Sequence, residues 1–219
     1  MSIFKNYIYN LFYQIILIIV PVVTIPYVTG VFGASNIGIY SLSDSIIQCF
    51  ILFGTFGQFM YASRQIAYVR DDFELKSKTF WEILCLKLGF TAIALIVYLI
   101  FITFSHFENK SIFFIQAINL LGMAFDVSWL FMGVEDFKKL ALRGISIKIS
   151  GVILIFTLIK TPLDLWKYAL IIILINILSN LILWCYVPKL VKPVKIKLKG
   201  VISHIKPGIP LFLTSVQLS

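Results

Sequence analysis

Six stretches of this chain are apolar over lengths that match a bilayer crossing. They lie near 8–32, 37–63, 80–104, 111–133, 142–159 and 165–188, and a seventh starts near Gly208 and is cut off at Ser219. A helix rises about 1.5 Å per residue through a hydrocarbon core about 30 Å thick, so about 20 apolar residues make one span. The expected fold is therefore all-α, a polytopic membrane helix bundle. Residues 1–188 form one six-helix lobe, 189–207 a basic cytoplasmic linker, and 208–219 the truncated start of a second lobe.

Composition closes off the soluble alternative. With 60% hydrophobic residues, 13% charged residues and a mean hydropathy of +0.97, the chain lacks the charges to coat a globule of 219 residues. A water-soluble domain carries about 25%. The N-terminal run from Ile8 to Phe32 is too long for the apolar core of a secretory signal, and no small-residue cleavage site follows it.

The net charge of +9 would suggest nucleic acid in a soluble protein, but here the basic residues sit in short segments between apolar runs. That is a topology signal. One side carries Lys5, then Arg64, Arg70, Lys76 and Lys78, then Lys138, Lys139, Arg143 and Lys148. Six more follow between Lys189 and Lys206, making fifteen basic residues, against Lys110, Lys160 and Lys167 on the other side. Lys87 lies within a span, with its amine expected to snorkel to the interface. The positive-inside rule then places the N-terminus in the cytoplasm of a multi-pass protein of the cell membrane. Lysines alternating with aliphatics over 189–199 read as a topology-setting linker or as a segment attracting anionic headgroups.

Polar residues inside spans are costly and tend to face a bundle interior or a wet cavity. In the second span Asp44, Gln48, Thr55 and Gln58 fall within about 80° of arc at 100° per residue. Gln116, Asn119, Met123 and Asp126 do the same in the fourth, within about 80°. The first span offers Asn10, Gln14, Pro21 and Thr24 on one side, and the sixth Asn176, Ser179 and Asn180. Interhelical hydrogen bonding accounts for the asparagines. A buried carboxylate needs a cation, a proton or water, which makes Asp44 and Asp126 candidates for cavity lining or ion binding. Arg64, at the cytoplasmic end, is a candidate anion contact as well as a topology determinant. Pro21 and Pro26 are hinge candidates, each removing a backbone hydrogen bond.

Motifs for metal, cofactor or catalytic chemistry are missing: there is no HExxH, GxSxG or phosphate loop. Cys49, Cys85 and Cys185 are isolated within apolar runs and read as small buried hydrophobes. His106 and His204 fall in connecting segments without an evident partner, and Asp71, Asp72, Glu74, Glu135 and Asp136 read as solvated charges.

Four stretches carry a resemblance. Thr24-Ile-Pro-Tyr-Val-Thr-Gly-Val-Phe-Gly, followed by Asn36-Ile-Gly-Ile-Tyr, is similar to the "PYxxRxLGxxxxGxY" start of the polysaccharide transporter family. These are the Wzx-type flippases of the multidrug/oligosaccharidyl-lipid/polysaccharide exporter superfamily. Gly30 stands where many relatives carry arginine. Asp126-Val-Ser-Trp-Leu-Phe-Met-Gly-Val-Glu-Asp-Phe resembles that family's "DxxWxxxGxExF" segment. Lys206-Pro-Gly-Ile-Pro-Leu-Phe resembles the start of its seventh helix, and Ser63-Arg64-Gln65-Ile66-Ala67 the end of its second.

The resemblance implies a non-enzymatic flippase that moves undecaprenyl-diphosphate-linked oligosaccharide repeat units across the cytoplasmic membrane for capsule, O-antigen or related polymers. Its implied partners are that lipid-linked substrate, membrane lipids and other polysaccharide-assembly proteins, with no cofactor and no nucleic acid. It implies two six-helix lobes around a central cavity, of which this chain covers the first, so that a truncated product inactive alone is one reading. A drug antiporter of the same superfamily and a polysaccharide-pathway membrane enzyme are the others.

Overall fold

The computed structural model describes the backbone over residues 3–55, 58–107 and 109–217. Lys5, Asn10 and Lys138 lie outside the residues whose side chains are described. The described residues are helical nearly throughout: α1 (Ile3–Thr55), α2 (Gln58–Tyr68), α3 (Phe73–Phe104), α4 (Lys110–Ala124), α5 (Ser128–Gly133), α6 (Phe137–Leu158), α7 (Leu165–Trp184), α8 (Leu198–Ser203) and α9 (Ile205–Gln217). Among them, four segments are long and apolar enough to cross a membrane: Ile18–Tyr68, Phe73–Phe104, Lys110–Gly133 and Pro162–Lys189. The protein is an all-α, multi-pass membrane bundle.

The first of those segments has room for two passes, and Gly33 divides it. At φ 70°, ψ 172° Gly33 leaves helical geometry and separates an N-terminal arm, 3–32, from a C-terminal arm, 34–55. Only glycine adopts such dihedrals without strain. Pro21 and Pro26 lie within the N-terminal arm, in continuous helix. A Cβ at Gly33 would meet nothing within 4 Å, so its identity is required by the backbone alone. Gly33→Ala is expected to cost about 1–3 kcal/mol. Gly30→Ala, where a Cβ also meets open space, should cost nothing. Unfolding midpoints of the two variants in a detergent titration check this pair.

Helix ends follow ordinary chemistry. Asp72 caps α3 by accepting a hydrogen bond from the Leu75 amide at 2.9 Å, with Glu74 in the first turn complementing the helix dipole. The connection between α6 and α7 closes on Asp164, whose carboxylate accepts bonds from the Lys160 and Thr161 amides, the Thr161 hydroxyl and the Lys167 ammonium. α9 starts at Ile205, three residues before the expected Gly208.

Three apolar clusters hold the helices together. One joins α2, α3, α5 and the end of α7 around Ile66, Phe80, Trp129, Phe131 and Leu183. A second packs the C-terminal arm of α1 against α3 and α4 through Ile47, Tyr98, Ile102 and Leu120. The third joins the N-terminal arm to α4, α6 and α7 through Val28, Phe32, Ile155 and Ile171. Outside these clusters the usual distribution is inverted. Ile18, Val22 and Ile93 are over 60% exposed, while Gln58, Lys87, Gln116 and Asn119 are buried. Lipid as solvent explains both halves, since aliphatic side chains lose nothing there and polar groups must turn inward. It also corrects the expectation for the cysteines: all three lie on the exposed surface, as small apolar groups on the outside of a membrane bundle.

Candidate functional site

The membrane segment Lys110–Gly133 is broken between α4 and α5, at 125–127. A break frees carbonyls that have no water to turn to inside a bilayer, so protein donors must satisfy them. Asn180 donates to the Gly122 carbonyl at 3.0 Å and the Trp184 indole to that of Phe125 at 2.8 Å. The Asp126 carbonyl receives both the Trp129 indole, at 3.2 Å, and the Lys87 ammonium, at 2.7 Å. Lys87 is 3% exposed. It does not snorkel to the interface: a free carbonyl lies within reach of its amine, and the bond made there outweighs the reach to water. The Asp126 carboxylate accepts bonds from the Ser128 amide and hydroxyl, both at 3.0 Å, and so organises the start of α5. Asp126 thus serves the break directly, beside the buried Lys87.

The other polar residues picked out from the sequence divide into two sets. Gln58 and Asn119 are buried within the bundle, and both polar atoms of the Gln58 amide lack a hydrogen-bond partner among the described residues. Gln14 and Gln48 are exposed, and Asp44 is half-buried with Gln48 beside it one turn on. Tyr40 and Tyr168 adjoin Asp44, their rings meeting edge-on at 4.9 Å. Arg64 is exposed and donates to the Tyr68 hydroxyl at 3.1 Å. One set is therefore internal and the other lies at the surface of α1 and α2.

A cavity of about 290 Å³ lies between the N-terminal arm of α1, α6 and α7. Its walls include Thr24 from the first, Arg143 and Lys148 from the second, and Tyr168, Asn176 and Ser179 from the third. Arg143 and Lys148, expected in a cytoplasmic connection, are instead well inside α6, which starts at Phe137. The signal that would have found them is their position within the apolar run 142–159, where a topology-setting charge has no reason to be.

At the end of the bundle where α2, α3 and α5 meet, polar contacts join segments remote in sequence. Arg70 pairs with Glu135 at 2.7 Å, both exposed, so Glu135 is not merely solvated. The Trp81 indole donates to the Lys192 carbonyl at 2.9 Å, and the Lys192 amide to the Ser77 hydroxyl at 3.0 Å. His204 is not isolated either. Its Nδ1 lies 2.7 Å from the Tyr61 hydroxyl and its Nε2 3.3 Å from a Glu82 carboxylate oxygen. Gly200 packs directly on that carboxylate. These contacts fasten the segment from Lys189 to α9 onto the bundle.

Comparison with known proteins agrees with this picture of a membrane bundle. A family model described as "Polysaccharide biosynthesis protein" matches residues 3–219. A protein of Shigella dysenteriae named "Putative O-antigen transporter" is 27% identical over 205 residues, covering 91% of this chain and 51% of that protein. Another of the same name, from Escherichia coli (strain K12), is 26% identical over 171 residues, covering 75% of this chain and 40% of its own length. The chain thus spans about half, or less, of the curated relatives it matches. No solved structure matches it.

Proposed function

Because the chain belongs to the polysaccharide biosynthesis protein family, we propose that it forms the N-terminal lobe of a flippase moving undecaprenyl-diphosphate-linked oligosaccharide units across the cytoplasmic membrane. The observation that carries this reading is the polar side chains left at the surface of the two arms of α1. Gln14 and Gln48 are exposed and Asp44 half-buried, on a helix whose other exposed side chains include Ile18, Val22 and Phe53. Facing lipid, an aspartate costs about 3 kcal/mol or more at mid-bilayer. Facing a wet cavity closed by a second lobe, it costs little and offers acceptors to sugar hydroxyls. The names of the two relatives support O-antigen as the class of polymer.

In this reading the lobe has six spans with the N-terminus inside: the two arms of α1 with α2, then α3, then α4 with α5, then α6, then α7. The boundaries 1–188, 189–207 and 208–219 separate lobe, linker and the first helix of the second lobe. With Arg143 and Lys148 set apart, thirteen basic residues against three support that orientation. The names of the two relatives, each a putative O-antigen transporter, support a transporter rather than an enzyme.

Expression of the complete gene in a strain lacking its own O-antigen flippase tests the proposal. Wild type should restore surface polymer. Asp44→Asn, present at the wild-type level in the membrane, should reduce it about tenfold, the order expected for loss of one charged contact. Polymer undiminished in that variant removes Asp44 from the pathway. No polymer from the wild-type gene overturns the reading.

A further inference from the structure

The segment that follows α7 carries charge of one sign. Lys189, Lys192, Lys195, Lys197, Lys199 and Lys206 fall within it, and no aspartate or glutamate occurs after Asp164. It leaves one membrane-length segment at Lys189 and is fastened by hydrogen bonds to another at Ser77 and Trp81. These two stand four and eight residues after Phe73, the first residue of α3. They are therefore about 6 and 12 Å along that helix from its end. Gly200 packs on Glu82, one residue further on, and Val187, Val191 and Val201 are buried against the bundle. The segment is thus held where membrane helices terminate, and it crosses the end of the bundle at the level of a bilayer surface.

What it turns outward differs from the surface of an ordinary loop. Val194, Leu198 and Ile202, spaced four residues apart, are 41%, 72% and 53% exposed. Leu198 and Ile202 lie within about 40° of each other on α8, with Lys199 beside them. Lys195, Lys197 and Lys199 are exposed as well, and none of the three pairs with a carboxylate among the described residues. Water would leave the aliphatics uncovered, and hydrocarbon would leave the ammonium groups unsolvated. The boundary between the two suits both, with aliphatics at the acyl level and lysines among headgroups of opposite charge. We propose that residues 192–203 form an amphipathic strap that seats on an anionic membrane surface through these three aliphatics and three lysines. The attraction is to the surface charge as a whole, so salt screens it and one anionic headgroup serves as well as another. The strap lies outside the bundle and does not rest on the transport reading.

The test is hydrogen–deuterium exchange of the purified chain in lipid nanodiscs, read on peptides covering 192–203. Rates are taken relative to the turn at 69–72, at the same end of the bundle, which reports any general effect of a charged surface. Discs of phosphatidylcholine are compared with discs holding about one-third phosphatidylglycerol or, at equal charge, phosphatidylserine. On both anionic discs the strap should exchange about tenfold more slowly at about 0.05 M salt, and the slowing should vanish at about 0.5 M. Lys195→Gln, Lys197→Gln and Lys199→Gln together should abolish it. Leu198→Ser with Ile202→Ser should weaken it about threefold or more.

If a variant is not recovered folded, the lipid and salt series on the wild-type chain decides. Equal exchange on neutral and charged discs overturns the strap and leaves its outward face to a protein partner or to water. Slowing that persists at high salt or in the triple lysine variant overturns the role of the lysines, and slowing that survives the serine variant overturns that of the aliphatics. Slowing by phosphatidylglycerol without phosphatidylserine would mean a headgroup-specific site and overturns surface attraction. The measurement involves no transport, so its failure leaves the flippase reading intact.

Discussion

Lys87→Met is expected to unfold at a lower denaturing-detergent fraction than wild type, by about 2 kcal/mol, the cost of a buried polar group left without its partner. Methionine matches lysine in length and fills the same path between α3 and the α4–α5 break, so packing is largely kept. Lost are the donor to the Asp126 carbonyl, 2.7 Å away, and the positive charge beside that residue's carboxylate. The Trp129 indole remains on the carbonyl, at 3.2 Å, and limits the damage. Relief of a desolvated ammonium offsets part of the loss. Glutamine, shorter but still a donor, should fall between the two. Equal stability of wild type and Lys87→Met would mean that the amine contributes nothing to the break.

A larger disruption is expected from Gly133→Val. A Cβ at Gly133 would lie 2.6 Å from two side-chain carbons of Ile66 and 2.7 Å from the Ser63 backbone oxygen. The aliphatic side chain has little room, since Ile66 is fully buried, and the backbone oxygen cannot turn away without moving α2. Overpacking of this kind costs about 3 kcal/mol. It should part α2 from α5, weakening the cluster built on Phe80, Trp129 and Phe131. Gly89→Val is the control, because a Cβ there meets nothing within 4 Å and should leave stability unchanged. Cross-linking between cysteines introduced on α2 and α5 reads the separation directly. Undiminished cross-linking in Gly133→Val would show that the contact yields.

Several features of the site were invisible for a common reason. Apolar length reveals Lys87 as an oddity in a span, yet not the carbonyl it reaches, which lies 39 residues away in a broken helix. Arg143 and Lys148 look like topology charges because sequence does not say which turns of α6 face α7. The prolines at 21 and 26 drew attention as hinges, whereas the backbone leaves helical geometry at Gly33, where dihedrals rather than composition decide. His204 seemed isolated because Tyr61 and Glu82 are more than a hundred residues distant along the chain. Asp126, by contrast, was legible as unusual, and its bonds to Ser128 span only two residues.

What the sequence determined by itself is the class of fold and its solvent. A helix satisfies its backbone within one segment, so apolarity and length, both local properties, are enough to specify membrane helices and where they lie. Tertiary structure alone decided which polar groups turn inward, that Lys87 closes a helix break and that two cations share a cleft. Those outcomes depend on distances between segments far apart in the chain. In a bilayer such distances are set by the search of each freed donor, acceptor or charge for a partner, because lipid supplies none.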